Sequence, residues 1–276
     1  MNQPDPSNLA FIGGGNMARS LIGGLVARGT DPATIRVAEP VDALRHALQQ
    51  DFGVHTFDHA ADAVQGADAW VLAVKPQVMR GVCEGLMAQA QATRPLVVSI
   101  AAGITAGQLD RWLGGGLAVV RAMPNTPALL GAGVTGLFAN AATDNAGRAR
   151  AAALLGAVGA TVWIDDENLM DAVTAVSGSG PAYVFLLAEA MQQAGEAQGL
   201  DPAAARVLAA QTLLGAARML TEREEPADVL RARVTSPGGT TQAAIETFEA
   251  GGFRGLVARA IAAATARGRE LSAAND

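Results

Sequence analysis

Cysteine, lysine, histidine and aromatic residues are all scarce in this chain of 276 residues. A single cysteine, Cys83, excludes an intrachain disulfide and any metal site built from several cysteines, so no metal is expected. It lies in an apolar helical stretch, where a small buried hydrophobe is the expected role. Lys75 is the only lysine among 20 Lys plus Arg. The histidines are His46, His55 and His59, and Tyr183 is the sole tyrosine. No apolar run reaches the roughly 18 residues of a membrane span. The opening residues, Met1 to Pro6, lack the basic and apolar segments of a signal peptide. A soluble cytoplasmic protein without a membrane partner is expected. The net charge of −6 argues against a nucleic-acid partner. What is abundant is small and apolar: hydrophobic residues make up 50% of the chain and aromatics 4%. The core must therefore be built mostly from Ala, Val and Leu.

The most informative stretch is Leu9 to Ala18, L-A-F-I-G-G-G-N-M-A. An apolar strand candidate, Leu9–Ile12, runs into Gly13-Gly14-Gly15 and then into an unbroken helix opening at Asn16-Met17-Ala18. Strand, glycine turn and helix start are the setting of a dinucleotide-binding G-x-G-x-x-[GA] motif. Gly13 would make the tight turn. Gly15 would let a pyrophosphate approach the helix N-terminus, and Ala18 would keep helix and strand close. Another strand–helix turn with no nucleotide role would show the same glycines.

Further strand candidates follow at Ile35–Ala38, 53–56, 69–74, 95–100, 117–121, 133–138 and 160–164. Helical patterns separate them, including one over 41–50 with Val41, Leu44 and Leu48 on one face. Continuous apolar strands alternating with helices indicate an α/β fold with a mainly parallel sheet covered on both faces. After Asp165-Asp166 no strand pattern appears. Tyr183, Leu186, Leu187, Ala190, Met191 and Ala194 follow helical spacing, and Asp201-Pro202 supplies a helix cap and a first-turn proline. The chain therefore divides into a Rossmann-like α/β domain, 1–166, and an all-helical domain, 167–276. Helices apolar on more than one face call for cover on more than one side, which favours oligomerisation over a tightly packed monomeric bundle.

Ligands of open parallel sheets bind outside the carboxyl ends of the strands. Besides the glycine turn, those ends carry Glu39-Pro40, Lys75-Pro76, Ala101-Ala102-Gly103 and Met123-Pro124-Asn125-Thr126-Pro127. Glu39 follows Ala18 at about the 20-residue spacing of the acid that takes the adenosine ribose hydroxyls and repels a 2′-phosphate. Otherwise it is a solvent-exposed charge before a turn. Lys75 could meet a phosphate or a substrate carboxylate, or could simply be solvated. In the helical region, Thr235-Ser236-Pro237-Gly238-Gly239-Thr240-Thr241 could hold a small anion on backbone N–H groups and hydroxyls. Alternatively, Gly-Gly joins two helices and Thr241 caps the second. Ser177-Gly178-Ser179-Gly180-Pro181 has a similar double character, with close packing at the glycines favoured. The helical region holds no His, Lys or Cys, and its one tyrosine, Tyr183, falls within an apolar helix, whereas a dehydrogenase that handles an alcohol proton usually needs a His, Lys or Tyr. An imine nitrogen can arrive protonated, so this spare chemistry favours C=N over C=O reduction.

With these residues in view the chain closely resembles the pyrroline-5-carboxylate reductases. The resemblance rests on Phe11–Ala18, Val74-Lys75-Pro76, Ser99–Gly103, Arg121–Pro127, Val176–Tyr183 and Thr235–Thr241, which span nearly the whole length. It implies hydride transfer from NAD(P)H to the imine carbon of 1-pyrroline-5-carboxylate, a cyclic imine carboxylate, giving L-proline. It also implies a homodimer formed through the helical domain, often assembled into a larger homo-oligomer. By position, Ile12, Gly13, Gly14, Gly15, Asn16 and Met17 would line the cofactor, with Ala73, Val74, Lys75 and Pro76, and with Ile100, Ala101 and Ala102. Glu167 falls where the family has an acid near nicotinamide and substrate. Gly239 and Thr240, in the loop opened by Ser236, would offer N–H groups to the substrate carboxylate. The Thr241 hydroxyl would hydrogen-bond the ring nitrogen. Two positions depart from the family pattern. Glu39 stands where a small polar residue is common, and Ala60 where Asn is. With Glu39 present, NADH is expected to serve at least comparably with NADPH, unless Arg36 or Arg45 meets the 2′-phosphate. The alternatives are another small-imine or hydroxyacid reductase of the same two-domain plan, and a non-catalytic NAD(P)-binding regulator.

Overall fold

The computed structural model describes residues 8–223 and 225–274. The chain forms two compact units, Met1–Gly178 with Ala264–Asp276, and Ser179–Ala263. The change from strands to helices after residue 166 thus precedes the division into units.

The first unit is built on an eight-stranded sheet: β1 (Leu9–Ile12), β2 (Ile35–Ala38), β3 (His55–Phe57), β4 (Ala69–Leu72), β5 (Leu96–Ser99), β6 (Val119–Met123), β7 (Gly133–Ala139) and β8 (Gly159–Trp163). The order is β3-β2-β1-β4-β5-β6-β7-β8. Its first six positions follow the dinucleotide-binding order, with the reversal of direction between β1 and β4. All pairings are parallel except β6–β7, where Val120 faces Ala139 in an antiparallel ladder. Apolar runs buried on both faces say nothing about direction. Here a short connection containing the 3₁₀ turn Thr126–Leu130 returns the chain directly, where a parallel pairing needs a crossover.

The helices of this unit are α1 (Asn16–Ala27), α2 (Asp42–Phe52), α3 (Ala60–Ala63), α4 (Pro76–Thr93), α5 (Ala106–Trp112), α6 (Asn145–Gly156) and α7 (Met170–Val173). They cover the sheet on both sides. Leu9 and Phe11 point into one cluster with Leu21 and Ile22 of α1 and Leu154 and Leu155 of α6. Ala10 and Ile12 point into another with Trp70, Met79 and Cys83. The expected helix face of Val41, Leu44 and Leu48 is a correction. Only Leu48 is buried, while Val41 caps the helix and it and Leu44 remain exposed. The third strand also begins later than the pattern suggested, because Gly53 takes a left-handed conformation at the end of α2.

The second unit contains α8 (Gly180–Ala197), α9 (Pro202–Glu222), α10 (Ala227–Arg233), α11 (Thr240–Ala250) and α12 (Phe253–Ala273), the last up to Ala263. Asp201 caps α9 by accepting from Ala203 and Ala204 N–H, and Pro202 opens its first turn. None of the residues of α8 is buried. No described helix is long and apolar enough to cross a membrane.

Candidate functional site

β1 ends at the point of the sheet where the strand order reverses. There Gly13 adopts φ +103, and a Cβ on it would meet the Ala73 carbonyl oxygen at 2.7 Å. No other residue fits both constraints. Gly14 has no room either: a Cβ there would lie 2.8 Å from Leu48 Cδ1 and 3.2 Å from Glu39 Cβ. Gly15 is different, with no neighbour within 4 Å of where its Cβ would stand. It is also the N-cap of α1, and no side chain caps that helix. Two crowded glycines thus shape the turn and the third leaves its outer face open at a helix N-terminus. This cradle fits the pyrophosphate of a dinucleotide. Ala18 is buried in the core cluster between helix and sheet.

Glu39 is not the solvent-exposed charge that a strand end would allow. It is 7% exposed. One carboxylate oxygen accepts from Gly14 N–H at 2.9 Å and the other from Val41 N–H at 3.0 Å. The carboxylate is thereby locked beside the glycine turn, with lone pairs remaining on each oxygen. The two arginines near enough in sequence to offset its charge are engaged elsewhere. Arg36 donates to the Ala63 and Asp62 carbonyls and stacks on Phe57. Arg45 donates to the Glu39 and Pro40 carbonyls and pairs with Asp42.

Ala73 and Val74 are half-buried after β4, Lys75 is exposed at the N-cap of α4, and Pro76 is the first residue of that helix. Beyond β5, Ile100 is half-buried, Ala101 buried and Ala102 exposed. Ile12, Gly13–Met17, Glu39, Ala73–Pro76 and Ile100–Ala102 therefore share the carboxyl edge of adjacent strands β2, β1, β4 and β5.

Glu167 also belongs to the first unit, in a 3₁₀ turn. Its Oε1 accepts from Ala106 N–H at 2.7 Å and lies 3.5 Å from Arg121 Nη1. Ser236, Gly239, Thr240 and Thr241 lie in the second unit. Gly239 is the N-cap of α11 and no side chain caps that helix, so Thr241 is not its cap. Gly238 takes φ +70, and its N–H is held by Gln242 Oε1 at 2.7 Å. Around Ser177–Pro181, Gly178 lets Met123 Cε approach to 2.6 Å of where a Cβ would stand, while Gly180 is open. The close-packing role thus holds for one glycine of the pair.

Arg121 and Asn125 lie in stretches that the strand ends and the family resemblance pointed to, but neither had been given a role of its own. Asn125 is buried, donating to the Ser177 carbonyl and accepting from Val134 N–H. Arg121 is a cation inside the strand Val-Val-Arg-Ala-Met and is 4% exposed. A lone charge in an apolar strand was the available signal.

Residues 8–103 match the family model described as NADP oxidoreductase coenzyme F420-dependent, and residues 167–271 match that of pyrroline-5-carboxylate reductase dimerisation. A pyrroline-5-carboxylate reductase of Pseudomonas aeruginosa is 53% identical over 265 residues, covering 96% of each chain. The chain belongs to the pyrroline-5-carboxylate reductase family. A solved reductase of this family from Coxiella burnetii superposes with a TM-score of 0.94 at 45% identity, covering 97% of this chain and 99% of that one. A pyrroline carboxylate reductase from Plasmodium falciparum, solved with NADP bound, gives 0.84 at 26% identity, covering 96% and 98%.

Proposed function

We propose that this chain reduces 1-pyrroline-5-carboxylate to L-proline with NAD(P)H, the last step of proline biosynthesis, as a homodimer able to build a larger homo-oligomer. The observation that carries the reading is near-complete coverage by a pyrroline-5-carboxylate reductase at 53% identity, joined to the open glycine cradle at β1. Residues 1–166 form the nucleotide-binding domain and 167–276 the dimerisation and substrate-binding domain. The cytoplasm is the expected location for nicotinamide-dependent biosynthesis.

Gly13–Met17 hold the pyrophosphate, with Ile12, Ala73–Pro76 and Ile100–Ala102 as walls. The bound nicotinamide supplies the hydride for the imine carbon. Glu39 accepts the ribose hydroxyls on a carboxylate already fixed by two backbone N–H groups, and its charge opposes a 2′-phosphate. NADH therefore serves at least comparably with NADPH. Gly239 and Thr240 N–H groups at the start of α11 take the substrate carboxylate, beside Ser236. The Thr241 hydroxyl holds the ring nitrogen. Such positioning contributes several kcal/mol to barrier reduction. Thr241→Ala is expected to lower kcat/KM about tenfold, the loss of roughly 1.4 kcal/mol. An unchanged kcat/KM removes that role.

Purified protein should oxidise NAD(P)H only when 1-pyrroline-5-carboxylate is added, forming L-proline in equal amount. Cofactor binding without turnover would leave a nucleotide-binding regulator in its place.

A further inference from the structure

We propose that Arg121 is a positioning residue for the turn that carries Ile100–Ala102: through Glu167 it fixes the start of α5, and with it that turn. The proposal rests on the reading of Ile100–Ala102 as cofactor-lining residues. Arg121 projects from β6, and burying a guanidinium is costly unless it is paired. Two carboxylates converge on it. Glu167 Oε1 lies 3.5 Å from Nη1 and Asp171 Oδ1 lies 3.5 Å from Nη2. The same Glu167 oxygen takes the Ala106 N–H at 2.7 Å, immediately after the Thr105 cap of α5.

The surroundings make this arrangement a bracket around residues 100–105. Gly103 takes φ +71, and a Cβ there would stand 3.4 Å from Leu271 Cβ. Gln108 of α5 donates to the Ser272 carbonyl at 3.3 Å. Asp171 in turn lies against α12 where Gly268 has no side chain, its Oδ1 being 3.1 Å from where a Cβ would stand. Without Arg121, Glu167 and Asp171 would face each other as uncompensated like charges. Glu167 would then turn away and leave the Ala106 N–H without its acceptor. In this arrangement Glu167 acts on the cofactor turn, through Ala106 N–H.

The test is an equilibrium titration of NADH, read by its fluorescence, with thermal unfolding in the absence of cofactor and steady-state kinetics alongside. Glu167→Ala and Arg121→Met should each raise the NADH Kd about tenfold or more. The substrate KM should change less than about twofold, and the double variant should be no weaker than the worse single. Glu167→Gln, which keeps an acceptor for Ala106 N–H, should recover most of the loss. An unchanged NADH Kd at lowered Tm would make the cluster merely structural and overturn the proposal. A selective rise in substrate KM would overturn it too, by making Glu167 a substrate contact. If Arg121→Met does not fold, the Glu167 pair decides alone. Wild-type protein that binds neither NADH nor NADPH would sink the underlying reading, whereas tight wild-type binding with unaffected variants sinks only this proposal.

Discussion

The two compact units satisfy their apolar residues in opposite ways. In the first, Phe11, Trp70, Leu21 and Ile22 are fully enclosed by the unit's own helices and strands. In the second, Phe185 is 67% exposed, Leu186 66% and Val207 60%, and the described buried hydrophobics are Ala205, Ala209 and Leu230. A helix surface so apolar and so open favours cover by a further apolar surface. The match of residues 167–271 to a pyrroline-5-carboxylate reductase dimerisation model supports a second copy as that cover. The proposed cofactor site thus sits on a self-sufficient core, while the loop proposed to hold the substrate belongs to a unit whose apolar helix faces are open.

The largest effect is expected at the glycine turn. Gly13→Ala introduces backbone strain of about 1–3 kcal/mol and a clash with the Ala73 carbonyl. Cofactor affinity should fall at least about 100-fold, read by NADH titration, with oligomeric state unchanged. The reciprocal variant is Leu186→Glu on α8. An unpaired charge buried in an interface costs about 3–5 kcal/mol. Sedimentation should show monomers, with NADH affinity retained but turnover lost. A dimer that persists would show that α8 is not part of the interface.

Glu39→Ser is expected to act more finely and in two directions. Removing the charge should shift the NADPH-to-NADH ratio of kcat/KM about tenfold toward NADPH, equivalent to about 1.4 kcal/mol. Losing the acceptor for Gly14 and Val41 N–H should also raise KM for both cofactors. A strong wild-type preference for NADPH would remove Glu39 from the role given to it. The smallest effect belongs to Cys83, whose thiol is pushed up from 9.0 to about 12 by burial, with Glu84 adding to the shift. The unfolded thiol ionises first, so this contribution is intact below about pH 9 and is lost as pH rises toward 12. At pH 10 the loss amounts to about 1.4 kcal/mol. Cys83→Ala should flatten the decline in Tm over that window.

Much of the first unit was legible because continuous apolar runs ended in glycine, proline or a charge. β1 and β2 lie where the pattern placed them. The antiparallel β6–β7 pairing was not, since period and composition carry no direction. Glu39 was found by spacing, but its bond to Gly14 joins strand ends that only the assembled sheet brings together. Leu48 was told apart from Val41 and Leu44 only by the glycine turn packed on it. Glu167, and the role of the Thr241 hydroxyl at the ring nitrogen, came from family resemblance. Glu167 could not be read further because its partners, Ala106 and Arg121, are distant in the chain.

The most direct test of the account follows the hydride. NADH deuterated at the transferring position of nicotinamide carbon 4 should yield one L-proline per cofactor oxidised. The deuterium should lie on the ring carbon across the nitrogen from the carboxylate-bearing carbon. Absence of labelled proline, or label at any other position, would contradict reduction of the cyclic imine by this chain.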